Sequence, residues 1–425
     1  MLRKLFILIS LALYISACTT TPVNAAPNKS VENPPPHPQL KSDASASPAK
    51  RHKFTTWKSD FIQETISKGY DAQLVKAVIS PAKINDRALD RDKKQPEFTK
   101  PIWTYVKNAA SQTRIKNGQA ELSEHRAEFD QIAARYPVDR HVLTAIWGME
   151  SAYGKFQGDH NIIDSYATFA FDGRRQEFGR TQLYAILDML SDKTVRHSQL
   201  IGSWAGAMGM TQFIPATMRD YAVDFDGNGN IDLWQSELDA LGSAANYLTR
   251  HGWDKTSPVI TEIALPDGFD YGLSDGRKMS IAQWNALGVR DKNGRNWSAQ
   301  AQALEARLLI PAGHKGPKFL AFKNFDVIMK YNKSTSYALG ISNLAQSFQG
   351  QTLIHTDWPR ADKPLSRTNK KALQTRLTAL GYETGGVDGR IGPNTRKAIR
   401  AWQTSQGLPA DGYMNQTLFK RLMAR

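Results

Sequence analysis

The chain has 425 residues, 41% of them apolar, and 55 Lys and Arg against 40 Asp and Glu give it a formal net charge of +15. Its single cysteine, Cys18, excludes any disulfide within the chain. The positive excess points to an anionic partner, and no RNA- or DNA-binding motif accompanies it.

At the N-terminus Arg3 and Lys4 precede an apolar run from Leu5 to Ala17. A basic start and a run too short to span a bilayer describe a secretory signal. Cys18 directly follows Ile15-Ser16-Ala17, which resembles a bacterial lipoprotein signal: removal of 1–17 would leave a lipidated Cys18 as the new N-terminus. Thr19 in place of Asp favours, by resemblance to enterobacterial sorting, the outer membrane, with its lipid as a partner. An exported protein meets no nucleic acid, so an acidic wall polymer and anionic headgroups are the expected partners. Residues 18–52, with Pro34, Pro35, Pro36 and Pro38 and a Ser/Ala/Lys stretch, carry too little apolar surface to fold and read as a disordered tether. No other segment is long and apolar enough to cross a bilayer.

Helical patterns dominate from Trp57 to about Tyr247, broken at Pro81, Pro137 and Gly154. Behind the cap candidate Asp139, residues Val142, Leu143, Ile146, Trp147 and Glu150 recur at three- and four-residue steps, so the carboxylate shares the face its apolar neighbours bury. Desolvation raises the pKa of such an acid and suits it to proton donation. A glutamate at a helix end also reaches solvent or pairs with an arginine, and this helix alone leaves both readings open. Residues 202–215 are dense in Gly and Ala and close on Gln-Phe-Ile-Pro. Small residues admit a ligand close to the backbone, while Ser203 and Gln212 offer neutral hydrogen-bonding groups suited to a carbohydrate; a tightly packed helix-turn element is the alternative.

Asp224-x-Asp226-x-Asn228-Gly229-Asn230-x-Asp232 matches a calcium loop of the EF-hand kind at its first nine positions, but the twelfth is Gln235 instead of Glu. A structural calcium site and an unoccupied Asp/Asn/Gly turn both fit. From about Asp254 to Pro317 the pattern is mixed, with short strands expected at Val259–Leu265 and Ala306–Pro311. A linker, 356–364, leads to a unit at 365–425 with a net charge of +8. There Asp388-Gly389 and Asp411-Gly412 each lead through a Thr into a helix, at 396–403 and 418–423, a weak internal repeat.

Together, Glu150-Ser151-x-Tyr153-Gly154, Gly202-Ser203-x-Ala205-Gly206-Ala207-Met208-Gly209-x-x-Gln212-Phe213-x-Pro215, Asn246 to Trp253, and Phe322-Lys323-Asn324-Phe325 through Tyr331 to Tyr337 resemble the lytic murein transglycosylases of the membrane-bound B family, over roughly 54–350. The Asp-Gly-to-Thr unit with Trp402-Gln403 resembles a three-helix peptidoglycan-binding domain. The resemblance implies a mainly α (α+β) fold: a lysozyme-like helical catalytic domain at 53–355 with a small mixed α/β insertion, and a separate C-terminal binding domain. It implies cleavage of the β-1,4 bond between N-acetylmuramic acid and N-acetylglucosamine in peptidoglycan, leaving 1,6-anhydromuramic ends. Glycosidases generally pair two carboxylates, yet none stands beside the 203–215 cluster; in this family one acid, here Glu150, serves as both acid and base. Ser203 and Gln212 would hold the sugar, and Tyr247, Tyr331, Tyr337 and Tyr105 would line the cleft. Catalysis requires no cofactor. A structural calcium would be held by Asp224, Asp226, Asn228, Asn230 and, through a longer loop, a carboxylate from Glu237 or Asp239. The alternatives are a hydrolytic muramidase using Asp164 or Asp172 and a non-catalytic wall-binding scaffold.

Overall fold

The computed structural model describes residues 47–92 and 100–424. The signal, Cys18 and the tether up to residue 46 lie outside them. The last tether residues are helical: α1 (Pro48–Ser67) starts before the expected domain boundary at 53, because Ser47 accepts the Lys50 amide and Pro48 occupies the first turn. Phe54, Phe61, Ile62 and Thr65 then bury one stripe, and Trp57 stacks between Phe54 and Phe61.

The chain continues through α2 (Ala72–Ile79), α3 (Asp86–Asp92), α4 (Ile102–Ala109), α5 (Gln112–Glu124), α6 (Arg126–Arg135) and α7 (Arg140–Ser151). β1 (His160–Asn161), α8 (Ile162–Phe171), α9 (Gln176–Ser191), β2 (Ile201–Gly202), α10 (Pro215–Tyr221) and α11 (Glu237–Arg250) follow. All these helices pack on one apolar core, in which Trp147, Tyr166, Phe129, Phe169 and Phe213 are almost wholly enclosed.

The mixed region forms a five-stranded antiparallel sheet from β3 (Ile260–Ala264), β4 (Met279–Ser280), β5 (Arg290–Asp291), β6 (Glu305–Leu309) and β7 (Phe319–Phe322), in the order β4-β6-β7-β3-β5. The two strands expected from sequence are β3 and β6. Central β7 pairs Leu320 with Thr261 on one side and Leu308 on the other. Its alternate residues face different cores: Phe319 and Ala321 join the helical core, Leu320 and Phe322 join a smaller one around Trp284 and Ile281 of α12 (Ile281–Ala286). α13 (Lys323–Tyr331) leaves β7 directly, and α14 (Thr335–Phe348) returns across α4, α5 and α7.

The C-terminal unit has three helices, α15 (Arg367–Ala379), α16 (Pro393–Ser405) and α17 (Gln416–Met423), around Leu373, Leu377, Ile399, Trp402 and Leu422. Its two Asp-Gly turns are read in the same way by two buried glutamines. Gln374 accepts the Gly389 amide at 2.7 Å and donates to Asp388 Oδ1 at 3.0 Å. Gln403 accepts the Gly412 amide at 2.8 Å and donates to Asp411 Oδ1 at 2.8 Å. The repeat is thus a physical one, with a side-chain amide replacing the missing backbone partners of each turn. Asp411 also ties this unit to the rest: its Oδ2 accepts from the His314 backbone amide at 2.8 Å and lies 2.6 Å from His314 Nδ1.

Candidate active site

Helix α7 begins on Asp139, whose side chain accepts the amides of His141 and Val142, and ends in a sharp reversal. Ala152, Tyr153 and Gly154 all take positive φ, 51°, 62° and 77°. Non-glycine residues pay for that conformation, so something must hold the turn. Ser151 does so, donating to Met210 O at 2.6 Å while accepting the Gly154 amide at 2.9 Å. Tyr153 folds back over Trp147, with its hydroxyl on Arg114 O at 2.6 Å. A Cβ on Gly148 would stand 2.6 Å from that ring, which explains the glycine. The Glu-Ser-x-Tyr-Gly pattern therefore fixes the exit of α7 and fastens it to the 202–215 segment.

Glu150 stands on the last turn of α7, partly buried. Its Oε1 accepts from the Tyr337 hydroxyl at 2.6 Å, across 187 residues of sequence. Tyr337 is buried on the first turn of α14, where Ser334 caps its amide. Burial, and then the neighbouring Glu150 charge, push the Tyr337 phenol well above its usual range, so it remains a donor at any physiological pH. Tyr331 is pushed up by the same two causes in the same order. Tyr105 packs on α14 beside Gly340, one turn from Tyr337.

Tyr247 and Tyr331 meet Phe213 in a cluster of rings. Their hydroxyls are spent on the backbone, Tyr247 on Lys330 O at 2.8 Å and Tyr331 on Thr211 O at 2.5 Å. What these two tyrosines offer a ligand is therefore ring surface. Burial holds the Tyr247 phenol up at about 12.

The small-residue segment folds as a chain of tight turns. Ser203 Oγ accepts the Ala207 amide at 3.1 Å, and no described residue accepts its proton. Gln212 takes a positive φ of 52°, and its Nε2 donates to Gln157 O at 3.1 Å and to Gly209 O at 3.0 Å. Sequence reasoning passed over Gln157, which gives its own amide to Gly154 O and Trp234 O. It splices the turn after Glu150 to the turn bearing Gln212, and no motif in one sequence marks it. Ser203 thus presents a donor and Gln212 a carbonyl oxygen.

The two acids considered for a water-activating role are engaged elsewhere. Asp164 Oδ1 accepts the Lys83 amide at 2.8 Å, and Asp172 pairs with Lys50 of α1 at 2.9 Å. At the acidic loop, carboxylate oxygens of Asp224, Asp226 and Asp239 lie within 4.8 Å of one another. Asp239, on the first turn of α11, is fully buried, and burial raises its pKa. Three converging carboxylates, one without solvent, fit a hard divalent cation. Asn228 and Asn230 shape the loop through a bond from the Asn230 amide to Asn228 Oδ1 at 2.9 Å.

A carboxylate at the end of a buried helix, bonded by a protonated tyrosine, with the exit of that helix fastened to the small-residue segment, is the kind of arrangement a lysozyme-like glycan-cleaving cleft presents. Comparisons with known proteins agree. Residues 53–346 match the family model of the transglycosylase SLT domain, and residues 366–422 match that of a peptidoglycan binding domain. The chain is 32% identical over 300 residues to the membrane-bound lytic murein transglycosylase B of Escherichia coli, covering 68% of this chain and 81% of that one. Among solved structures it resembles SltB3 of Pseudomonas aeruginosa in complex with NAG-anhNAM-pentapeptide, at 46% identity and a TM-score of 0.83, covering 87% of this chain and 99% of the other. It also resembles the Escherichia coli lytic transglycosylase Slt35 in complex with calcium, at 30% identity and a TM-score of 0.60, covering 69% and 92%. The chain belongs to the SLT-domain lytic transglycosylases, and it is a peptidoglycan-cleaving enzyme of that class.

Proposed function

We propose that Glu150 alone carries the proton chemistry. With Tyr337 donating to Oε1, the proton of the neutral acid sits on Oε2. It passes to the glycosidic oxygen as the bond from C1 of muramic acid breaks. The carboxylate, still held by Tyr337, then accepts the proton of the muramic C6 hydroxyl, whose oxygen closes on C1. No water is consumed, and the 1,6-anhydro end is the product. The nucleophile is tethered to the electrophile, so the step needs no second protein carboxylate. Ser203 and Gln212 would hold the sugar's polar groups, with Tyr105, Tyr247, Tyr331 and Tyr337 lining its path. The observation that carries this reading is the 2.6 Å hydrogen bond from the buried Tyr337 hydroxyl to Glu150 Oε1.

The test is mass spectrometry of fragments released from purified sacculi by the wild type and by Glu150→Gln. Fragments one water lighter than hydrolytic products are expected, with the variant slower by about 10²- to 10⁴-fold, the usual worth of a general acid or base. Reducing ends would overturn the single-acid reading, and an active variant would overturn the assignment of Glu150.

A structural calcium held by Asp224, Asp226 and Asp239, with Asn228 and Asn230 completing the loop, is supported by the convergence of the three carboxylates. Attachment to the outer membrane through a lipidated Cys18 is supported by the signal-like start, and no helix among the described residues is long and apolar enough to cross a membrane. Cys18→Ala should move the protein from the membrane fraction to the soluble one; unchanged fractionation would refute the anchor.

A further inference from the structure

The two Asp-Gly turns of the C-terminal unit share one construction, but one is occupied and the other is open. Asp411, 3% exposed, has its Oδ1 locked by Gln403 Nε2 and by the Tyr413 amide, both at 2.8 Å. Its Oδ2 is taken by the catalytic body, with the His314 amide at 2.8 Å and His314 Nδ1 at 2.6 Å. A carboxylate can only accept, so Nδ1 carries the proton and one residue delivers two donors to one oxygen. The approach is close: a Cβ on Gly313 would stand 2.5 Å from Asp411 Oδ2 and 2.8 Å from Tyr413 Cβ. The second turn is therefore a receptor for paired donors, seen with its occupant in place.

The first turn is its copy. Asp388 Oδ1 is locked by Gln374 Nε2 at 3.0 Å and by the Arg390 amide at 2.8 Å, and no other described residue donates to its Oδ2. Gly389 gives its amide to Gln374 Oε1 at 2.7 Å and takes a φ of 76°, against 71° for Gly412. The bond from Gln374, and then the Arg390 amide, hold the Asp388 carboxyl below its usual range, so it is charged at neutral pH. Asp388 is exposed where Asp411 is buried, and Val387 immediately before it is 49% exposed. An acceptor already oriented by two internal bonds gives up little side-chain freedom when it takes a ligand.

We propose that the Asp388-Gly389 turn binds an N-acetylglucosamine residue of the wall glycan, Oδ2 accepting from the acetamido N–H and the neighbouring C3 hydroxyl while Val387 meets the acetyl methyl. The inference rests on the peptidoglycan-binding reading of the C-terminal unit and gives that reading a site. Both sugars of the wall repeat carry an acetamido N–H. Muramic acid has its C3 oxygen closed as an ether, so only N-acetylglucosamine presents two adjacent donors on one residue, as His314 does to Asp411. The second turn is filled by His314, and the unit thus holds the catalytic body with one turn and glycan with the other.

The test uses the full chain carrying Glu150→Gln, so that bound glycan is not cut, and glycan strands stripped of peptide by an amidase. Asp388→Asn is isosteric: its carbonyl oxygen still serves Gln374 and Arg390, and an amide NH₂ replaces Oδ2. It should melt with its parent and bind the strands about tenfold more weakly, as the loss of a hydrogen bond to a charged group predicts. Asp411→Asn, the same change in the other turn, should leave that affinity within about twofold. Chitotetraose should shift the amide resonances of Gly389 and Arg390 in the parent but not in Asp388→Asn, which separates this site from the catalytic cleft. Unweakened binding by Asp388→Asn overturns the proposal, as does equal weakening by Asp411→Asn. A free wall tetrapeptide that needs Asp388 while stripped strands do not would assign the oxygen to a peptide amide and overturn it too. If the wild type releases no anhydro fragments from sacculi, the cleavage reading fails while these titrations still decide the turn.

Discussion

At the scale of single residues, the arrangement turns on Tyr337. A phenol held far above its usual range by burial does not give up its own proton, and under the proposed mechanism its hydrogen bond would stabilise the Glu150 carboxylate formed when the acid's proton leaves. A hydrogen bond to a charged group contributes about 1.5–3 kcal/mol, or roughly 10- to 100-fold in rate. Tyr337→Phe should therefore keep its fold, by circular dichroism and thermal melting, while kcat/KM on sacculi falls by about that factor. A loss of stability with an unchanged rate would make Tyr337 a packing residue only. The sequence showed an acid on a buried helical face and a motif that reverses the chain just after it. It could not show that the acid's partner lies 187 positions away, because a contact closed by tertiary packing leaves no local periodicity. Ser203 and Gln212 were visible as polar groups among small ones, but the left-handed backbone of Gln212 and its brace at Gln157 are products of the fold.

At the scale of elements, legibility follows burial. α7 announced itself by a capping aspartate and a three-to-four-residue apolar repeat, and β3 and β6 by short β-branched or aliphatic runs. β7 did not, because both of its faces are covered and a wholly apolar tetrapeptide has no alternation to read. α1 began earlier than expected because Ser47 and Pro48, which look like the end of a low-complexity tether, are a cap and a first turn. The acidic loop also reads differently with its element in place. Gln235 stands at the usual bidentate position, but Asp239 on the first turn of α11 approaches Asp224 and Asp226 instead. With calcium at a hundredfold excess over Kd, such a site would add about 2.7 kcal/mol, which corresponds to roughly 3–4 °C for a chain of this size. Chelation should lower the melting temperature by that amount, calcium should restore it, and kcat at 25 °C should hardly change. Asp239→Asn should melt low and ignore calcium; a melting temperature indifferent to chelator would leave the loop a plain turn.

At the scale of the whole molecule, two units with separate apolar cores are joined by a short linker and a few polar contacts. The C-terminal core around Leu373, Ile399 and Trp402 shares no residue with the catalytic cores, so each unit has its own source of stability. The linker divides unequally: Trp358 packs on the catalytic core and against Trp103, whereas Leu365 belongs to the other side. A chain ending at Asp362 keeps Trp358 seated and should fold. It should turn over short soluble glycans nearly as well as the full chain, because Glu150, Tyr337, Ser203 and Gln212 all remain. On intact sacculi it loses a second attachment point, and tethered binding of two sites exceeds either alone by 10² or more when the geometry permits. Its KM on sacculi should therefore rise by about tenfold or more with kcat little changed. Ending the chain at 355 instead strips Trp358 from the catalytic core and should lower the melting temperature as well, a difference between two truncations seven residues apart that a mere loss of wall affinity would not produce.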